Sequence, residues 1–289
     1  MFKTRIYLNV VIPLLVVDLV IGVVIGVILG ATVFAPHASS AIPHPPVSQA
    51  APLTTVTIPQ GQDLFEPFIL PVEPNTAVTW QNDDTVAHTF TTTPDQSNFL
   101  NLAAFSLQVA AGQHVTFTFK QPGLYHYYET TVATWNTADA RVAPKQGVPH
   151  FPMAMDGIIW VQGSISNLPS GATNHIPTQH DDFETEFVAV NQGGTLSMHN
   201  LDTDPHVLAL VSGWSGPINP AEIGINRIGG TGDVPGGETI TIPFNLPGLY
   251  YYYCVTHAQT DSTQHRAAAI KGASEYPIPM EGFVLVVGN

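Results

Sequence analysis

The sequence predicts an all-β protein of two tandem β-sandwiches behind one N-terminal transmembrane helix. Beyond residue 52, short apolar runs alternate with polar residues and are separated by Gly, Pro, Asn and Asp. Such runs are typical of the strands and turns of a sandwich. No long segment there has helical periodicity. An apolar N-terminal stretch and an internal repeat complete the prediction.

The N-terminal segment predicts a membrane anchor. The apolar run at 6–35 is long enough for a membrane-spanning helix, which needs about 20 residues. Two basic residues before it predict a cytoplasmic tail at 1–5 and a single-pass protein whose other residues are extracytoplasmic. The Pro-, Ala- and Ser-rich stretch 36–52 predicts an extended tether. Signal-peptide cleavage within 31–41 is the alternative.

The β region repeats itself. The matching segments are 122–129 with 247–254, 155–161 with 280–286, and 82–88 with 200–206. The first two pairs are offset by 125 residues and the third by 118, so the second copy carries about seven extra residues between these points. Repetition on this scale predicts two copies of one domain. We place them at 53–163 and 183–289, joined by a Ser-, Gly-, Pro- and Asn-rich linker at 164–182.

The charge balance restricts the partners. The chain has 8 Lys and Arg against 22 Asp and Glu, for a net charge of -14. Such an acidic protein would repel nucleic-acid phosphates, so we expect no nucleic-acid partner. Basic docking surfaces on other proteins are more plausible.

A single cysteine lies within a metal-ligand pattern. Cys254 ends an aromatic run and stands three residues before His257, with His206 upstream and Met280 downstream. One thiolate, two imidazoles and a weak thioether are the ligands of a mononuclear blue-copper centre. The pattern therefore predicts one type 1 copper per chain.

The second copy resembles the cupredoxins, the blue-copper family of plastocyanin. The resemblance rests on an Asn-rich segment ending in His206, Gly-x-Tyr-x-Tyr-x-Cys at 248–254, Cys-x-x-His ending in His257, and Met-x-Gly beginning at Met280. It covers both copies and implies two Greek-key sandwiches, with copper near one end of the second.

The ligand loop departs from the usual family pattern. His257 and Met280 are separated by 22 residues, and His265 lies between them. Met280 is favoured as the axial ligand because Met-x-Gly recurs in both copies. His265 is the rival, either replacing His257 or as an axial ligand, and the second case would resemble the red-copper protein nitrosocyanin.

The first copy lacks the thiolate. His88 and Met155 persist, but Glu129 stands at the cysteine position and Val132 at the following histidine position. We expect a structural or docking domain without type 1 copper. A second site for a harder metal, held by His88, Glu129 and Met155, is the alternative.

These patterns predict an electron carrier rather than an enzyme. We expect a membrane-anchored protein whose copper cycles between Cu(I) and Cu(II) as it exchanges electrons with a membrane-bound or extracytoplasmic redox partner. Assembly into a homo-oligomer is also open. The chain has no His-x-His pair of a multicopper oxidase, and Tyr253 stands where a nitrite reductase has a histidine. A dinuclear copper site would need a second cysteine. A two-domain copper oxidoreductase with a second metal and a copper-binding accessory protein stay open.

Overall fold

The structure is a computed structural model that describes residues 54–94, 100, 102–211 and 232–288. All of them belong to one compact unit, 50–289. Within these ranges no helix has both the length and the apolar character needed to cross a membrane. The predicted tail at 1–5, the membrane helix at 6–35 and the tether at 36–52 all lie outside the described residues.

The described residues form strands and turns, which confirms the predicted all-β fold for this part of the chain. The strands of the first copy are β1 (Thr55–Ile58), β2 (Ile69–Val72), β3 (Ala77–Asn82), β4 (His88–Thr92), β5 (Ser106–Val109), β6 (His114–Thr118), β7 (Gly123–Glu129), β8 (Ala133–Asn136), β9 (Arg141–Pro144) and β10 (Asp156–Val161). Those of the second are β11 (Gly171–Ile176), β12 (Phe187–Asn191), β13 (Gly194–Asn200), β14 (His206–Leu210), β15 (Asp233–Val234), β16 (Thr239–Phe244), β17 (Gly248–Cys254), β18 (Ala258–Asp261), β19 (Arg266–Ala269) and β20 (Glu281–Val287).

The two copies share one topology. Each has a three-stranded sheet, in the orders β1-β3-β6 and β11-β13-β16. Each also has a five-stranded sheet, in the orders β2-β10-β7-β4-β5 and β12-β20-β17-β14-β15. The hairpins β8-β9 and β18-β19 complete the correspondence. The sequence repeat is therefore a structural repeat.

The segment 164–182, which its composition marks as a linker, contains strand β11. This strand pairs in parallel with β13, from Gly171 beside Thr195 to Ile176 beside Asn200. The second sandwich therefore begins inside the predicted linker. The strand was missed because only Asn174 and Ile176 of its six residues are buried, so its apolar alternation is weak.

The two five-stranded sheets pack against each other. In β10, Ile159 and Val161 belong to the core of the first sandwich. The alternate residues Ile158 and Trp160 point to the opposite face and share a cluster with Phe283 of β20. Both faces of the central strands are therefore covered, which explains why every residue of β10 and β20 is buried.

The hairpins connect the sandwiches. In β9, Arg141 donates a hydrogen bond to the backbone carbonyl of Phe183 in the second copy. In β19, Arg266 donates a hydrogen bond to the Asp156 carboxylate of the first copy, at 2.8 Å. The long loop before Met280 thus contains an ordered hairpin that recurs in both copies and reaches across to the other sandwich.

Candidate metal centre

Adjacent strands bring the histidine and cysteine positions together. Cys254 ends β17, His206 begins β14, and the two strands pair antiparallel. The Cys254 Sγ lies 3.7 Å from the His206 Nδ1 and 3.6 Å from the Nδ1 of His257. One ligand atom from each of the three residues lies within 4.8 Å of the others. Three of the four predicted ligands therefore form one group.

The spacing of the donor atoms fits a single metal ion. A metal about 2.3 Å from sulfur and about 2.0 Å from nitrogen, with ligand angles of about 109–120°, separates the two donors by roughly 3.5–3.8 Å. Both observed separations from the Cys254 Sγ fall in this interval. A thiolate with two imidazoles also has the softness that copper prefers. The group could therefore hold copper without moving its donors apart.

The electrostatics of the group favour a thiolate. Burial raises the pKa of Cys254, but contacts with the His206 and His257 rings outweigh it and lower the pKa to about 5. Contact with Cys254 in turn raises the pKa of His257, while burial opposes that shift. The thiolate is the form of cysteine that binds metals. The two histidines thus favour the thiolate form of Cys254, the form that binds a metal.

Two carboxylates face the outer nitrogens of the histidines. The Asp181 Oδ1 lies 3.3 Å from the Nε2 of His257, and its Oδ2 accepts the Ser274 N–H at 2.6 Å. The Asp202 Oδ2 lies 4.0 Å from the Nε2 of His206. A carboxylate behind a ligating histidine orients the ring and raises its basicity. Asp181 is close enough to orient His257, and both rings present Nδ1 to the sulfur.

Asn200 holds the loop that leads into β14. Its amide nitrogen donates to the carbonyls of Asp204 at 2.7 Å and Val234 at 3.0 Å, and its oxygen accepts the Asp202 N–H at 3.0 Å. Asn82 makes the matching contacts in the first copy, with the carbonyls of Val86 and Val109 and the N–H of Asp84. The recurrence of this asparagine at the same place in both copies is the sequence signal of its role.

Met280 and His265 have different surroundings. Met280 is fully buried in the same core cluster as Cys254, and its carbonyl accepts the Cys254 N–H at 3.0 Å. Its role as axial ligand stays a prediction. His265 is exposed in the turn between β18 and β19 and is not part of the His-Cys-His group. The structure therefore places His257, rather than His265, beside the cysteine.

The glycine of Met-x-Gly has a packing role. A Cβ on Gly282 would lie 2.6 Å from ring atoms of Tyr252, and one on Gly157 would lie 2.7 Å from the Tyr127 hydroxyl. Each glycine pairs across the sheet with the tyrosine that occupies this space. Because the pattern recurs in a copy without the thiolate, packing accounts for it. Its recurrence is therefore no evidence that Met280 binds metal.

Glu129 serves the backbone of the first copy. Its Oε1 accepts the Thr89 N–H at 3.0 Å, and its Oε2 accepts the N–H groups of Thr131 at 2.6 Å and Val132 at 2.9 Å. The two carboxylate oxygens thus bind backbone of strand β4 and of the turn after β7, which correspond to ligand-bearing segments of the second copy. These hydrogen bonds give Glu129 a structural role in the first copy.

The other residues of the predicted second site lie near Glu129. The His88 Nδ1 lies 4.0 Å from the Glu129 Oε1, and its Nε2 lies 3.3 Å from the Asp84 Oδ2. Met155 is buried, and its carbonyl accepts the Glu129 N–H at 2.9 Å. A metal site made of His88, Glu129 and Met155 stays a prediction.

Comparisons with known proteins give structural matches alone. No protein-family model matches the chain, and no curated protein matches it. A purple cupredoxin from Nitrosopumilus maritimus is 21% identical, with 38% of this chain and 99% of that chain covered and a TM-score of 0.25. Amicyanin from Paracoccus versutus is 19% identical over 40% of this chain and 86% of that chain, with a TM-score of 0.26. A reduced amicyanin mutant is 21% identical over 40% of this chain and 87% of that chain, with a TM-score of 0.26.

The repeated strand order, the motifs and the geometry of the donors together describe the molecule. Each copy pairs its first strand in parallel with its third and places the aromatic strand at the centre of the larger sheet. Only the second copy ends that strand in a thiolate next to two imidazoles. The described part of the chain is a pair of β-sandwiches with one topology, and the second carries a His-Cys-His group suited to copper.

Proposed function

We propose that this chain is a blue-copper electron-transfer protein. The second sandwich binds one copper ion through His206, Cys254 and His257, with Met280 as a weak axial ligand. The observation that carries the proposal is the convergence of one sulfur and two Nδ1 atoms at separations of 3.6 and 3.7 Å. Bound copper would supply a one-electron Cu(I)/Cu(II) couple.

The protein's own contribution is a fixed and shielded set of donors. Cys254 and His206 lie at the ends of paired strands, and both are fully buried. Asp181 and Asp202 face the outer nitrogens of the two rings. Ligands restrained by strands and by hydrogen-bonded neighbours move little when the charge at the centre changes. Small reorganisation suits electron transfer better than substrate binding.

The two histidines differ in access to solvent. The side chain of His257 is 16% exposed, whereas that of His206 is 0% exposed. We therefore assign His257 as the route by which an electron leaves or enters. The predicted helix at 6–35 supports a membrane-anchored protein and a membrane-bound or extracytoplasmic partner.

Copper titration of the metal-free protein tests this function. We expect one copper(II) per chain and an intense visible charge-transfer band that disappears in Cys254→Ser. His257→Ala should weaken the band, whereas the matched control His265→Ala should leave its position and intensity unchanged. A colourless copper complex, or a band that survives Cys254→Ser, would contradict the proposal. A red spectrum altered by His265→Ala would indicate a histidine-rich site instead.

A further inference from the structure

A second group of metal-ligating side chains lies outside the His-Cys-His site. Asp139 comes from the turn between β8 and β9, His180 from the segment before β12, and Glu275 from the loop after β19. One ligand atom from each lies within 4.8 Å of the other two. The His180 Nδ1 and the Glu275 Oε1 are 2.8 Å apart. The first and second sandwiches both contribute to this group.

A buried carboxylate adjoins the group. Asp182 is only 5% exposed, and its Oδ1 has no hydrogen-bond partner. Burial raises the pKa of Asp182, the Arg141 guanidinium lowers it, and the Glu275 and Asp139 carboxylates raise it further. Asp182 follows His180 by two residues and lies in the same segment before β12. The Asp182 Oδ1 is therefore a buried oxygen without a hydrogen-bond donor, and a cation held by the neighbouring group would stabilise it.

We propose that Asp139, His180 and Glu275, with Asp182 beside them, bind one divalent cation of the zinc class at the junction of the two sandwiches. Zinc accepts both imidazole nitrogen and carboxylate oxygen, at about 2.0–2.2 Å. The group has no sulfur, so it does not share the copper(I) preference of the first site. One imidazole among carboxylates also separates it from the all-oxygen sites typical of magnesium and calcium.

This cation would act on the loops around the copper ligands. Ser274 precedes Glu275, and its N–H is hydrogen-bonded to Asp181. Asp181 in turn faces the Nε2 of His257. His180 is the residue before Asp181, and Glu275 is the residue after Ser274. A cation held by both would therefore restrain the two segments that form the Asp181–Ser274 contact. Because Asp139 belongs to the first sandwich, the same ion would also clamp the two sandwiches together.

Zinc binding to the purified full-length chain tests the proposal. Zinc per chain is measured by mass spectrometry of the metal after dialysis, and affinity by calorimetric titration with zinc chloride. Glu275→Gln and Asp139→Asn should each remove one zinc equivalent or weaken its binding by at least about 10-fold. The matched control is Glu184→Gln, because Glu184 forms a comparable pair with His175, at 2.5 Å, outside the group.

The Cys254→Ser variant separates this site from the copper site. We expect it to retain the zinc equivalent that Glu275→Gln removes, whatever the outcome of the copper titration. The proposal is overturned if the full-length chain binds no zinc, or if Glu275→Gln and Glu184→Gln bind equal amounts. It is also overturned if Cys254→Ser abolishes all zinc binding, or if magnesium competes at equal concentration.

Discussion

The Arg266 guanidinium of the second sandwich donates a hydrogen bond to the Asp156 carboxylate of the first at 2.8 Å. Both side chains are buried. The other Asp156 oxygen lies 2.8 Å from the His126 Nε2, and the Arg266 guanidinium lies 4.1 Å from the centre of the Phe68 ring. A charged pair is thus enclosed within the apolar interface between the two sandwiches.

Removal of one partner of this pair should be costly. Arg266→Ala leaves the Asp156 carboxylate buried without its cation, so we expect the free energy of unfolding to fall by about 3–5 kcal/mol. The double variant Arg266→Ala with Asp156→Ala should recover part of the loss. Denaturant titration measures both values. The exposed control Lys120→Ala should change stability by about 0.5 kcal/mol or less; an equally small effect of Arg266→Ala would refute the prediction.

The same pair predicts a loss of stability in acid. Burial alone would raise the pKa of Asp156, but Arg266 and His126 hold it below the ordinary value of 3.8. A carboxyl whose pKa is lower in the folded state stabilises the fold above its unfolded pKa. That contribution disappears as the pH falls through the folded pKa. Unfolding free energies between about pH 2 and pH 4 should therefore fall less steeply in Asp156→Asn, and an unchanged slope would contradict this.

Glu129→Ala should destabilise the first sandwich without removing bound metal. The substitution leaves the backbone N–H groups of Thr89, Thr131 and Val132 without their acceptor, and one buried orphan group costs about 1–3 kcal/mol. Denaturation and metal analysis of the same samples check both parts. The exposed control Glu73→Ala should change neither. A metal equivalent lost only in Glu129→Ala would establish the second site instead.

Asp181→Ala should weaken copper binding. The carboxylate orients His257 through its Nε2, and loss of such an outer partner typically reduces metal affinity by about 10–100-fold. Competition with a copper chelator measures the change. Asp63→Ala is the matched control, because Asp63 occupies the position 118 residues earlier in the first copy. Equal copper affinities of Asp181→Ala and Asp63→Ala would show that Asp181 does not orient His257.

Gly282→Ala should destabilise the second sandwich by overpacking. The new methyl group would meet the Tyr252 ring at 2.6 Å, and strain of this kind costs about 1–3 kcal/mol. Gly288→Ala is the control, because its methyl group would lie 3.6 Å from Pro247, an ordinary contact distance. Thermal denaturation compares the two. A fully stable Gly282→Ala would mean that the glycine serves another purpose.

Local patterns predicted much of this molecule. The repeat and the alternating apolar runs predicted the strands, and Cys-x-x-His with an upstream histidine predicted the group around Cys254. Sequence could not decide between His257 and His265, because the choice depends on a hairpin that moves His265 to an exposed turn. Nor could it show the interface, because Trp160 faces the neighbouring sandwich while the next residue faces its own core.

The fully buried strands also determine whether either sandwich could exist without the other. Phe283, Leu285 and Val287 of the metal-binding sandwich lie against the first one. If the chain were divided near residue 164, this apolar sheet face would meet water, and each half would be prone to aggregate. The first copy therefore covers this face of the second sandwich although it has no thiolate of its own. The half that carries the His-Cys-His group therefore depends on the first sandwich to cover its sheet.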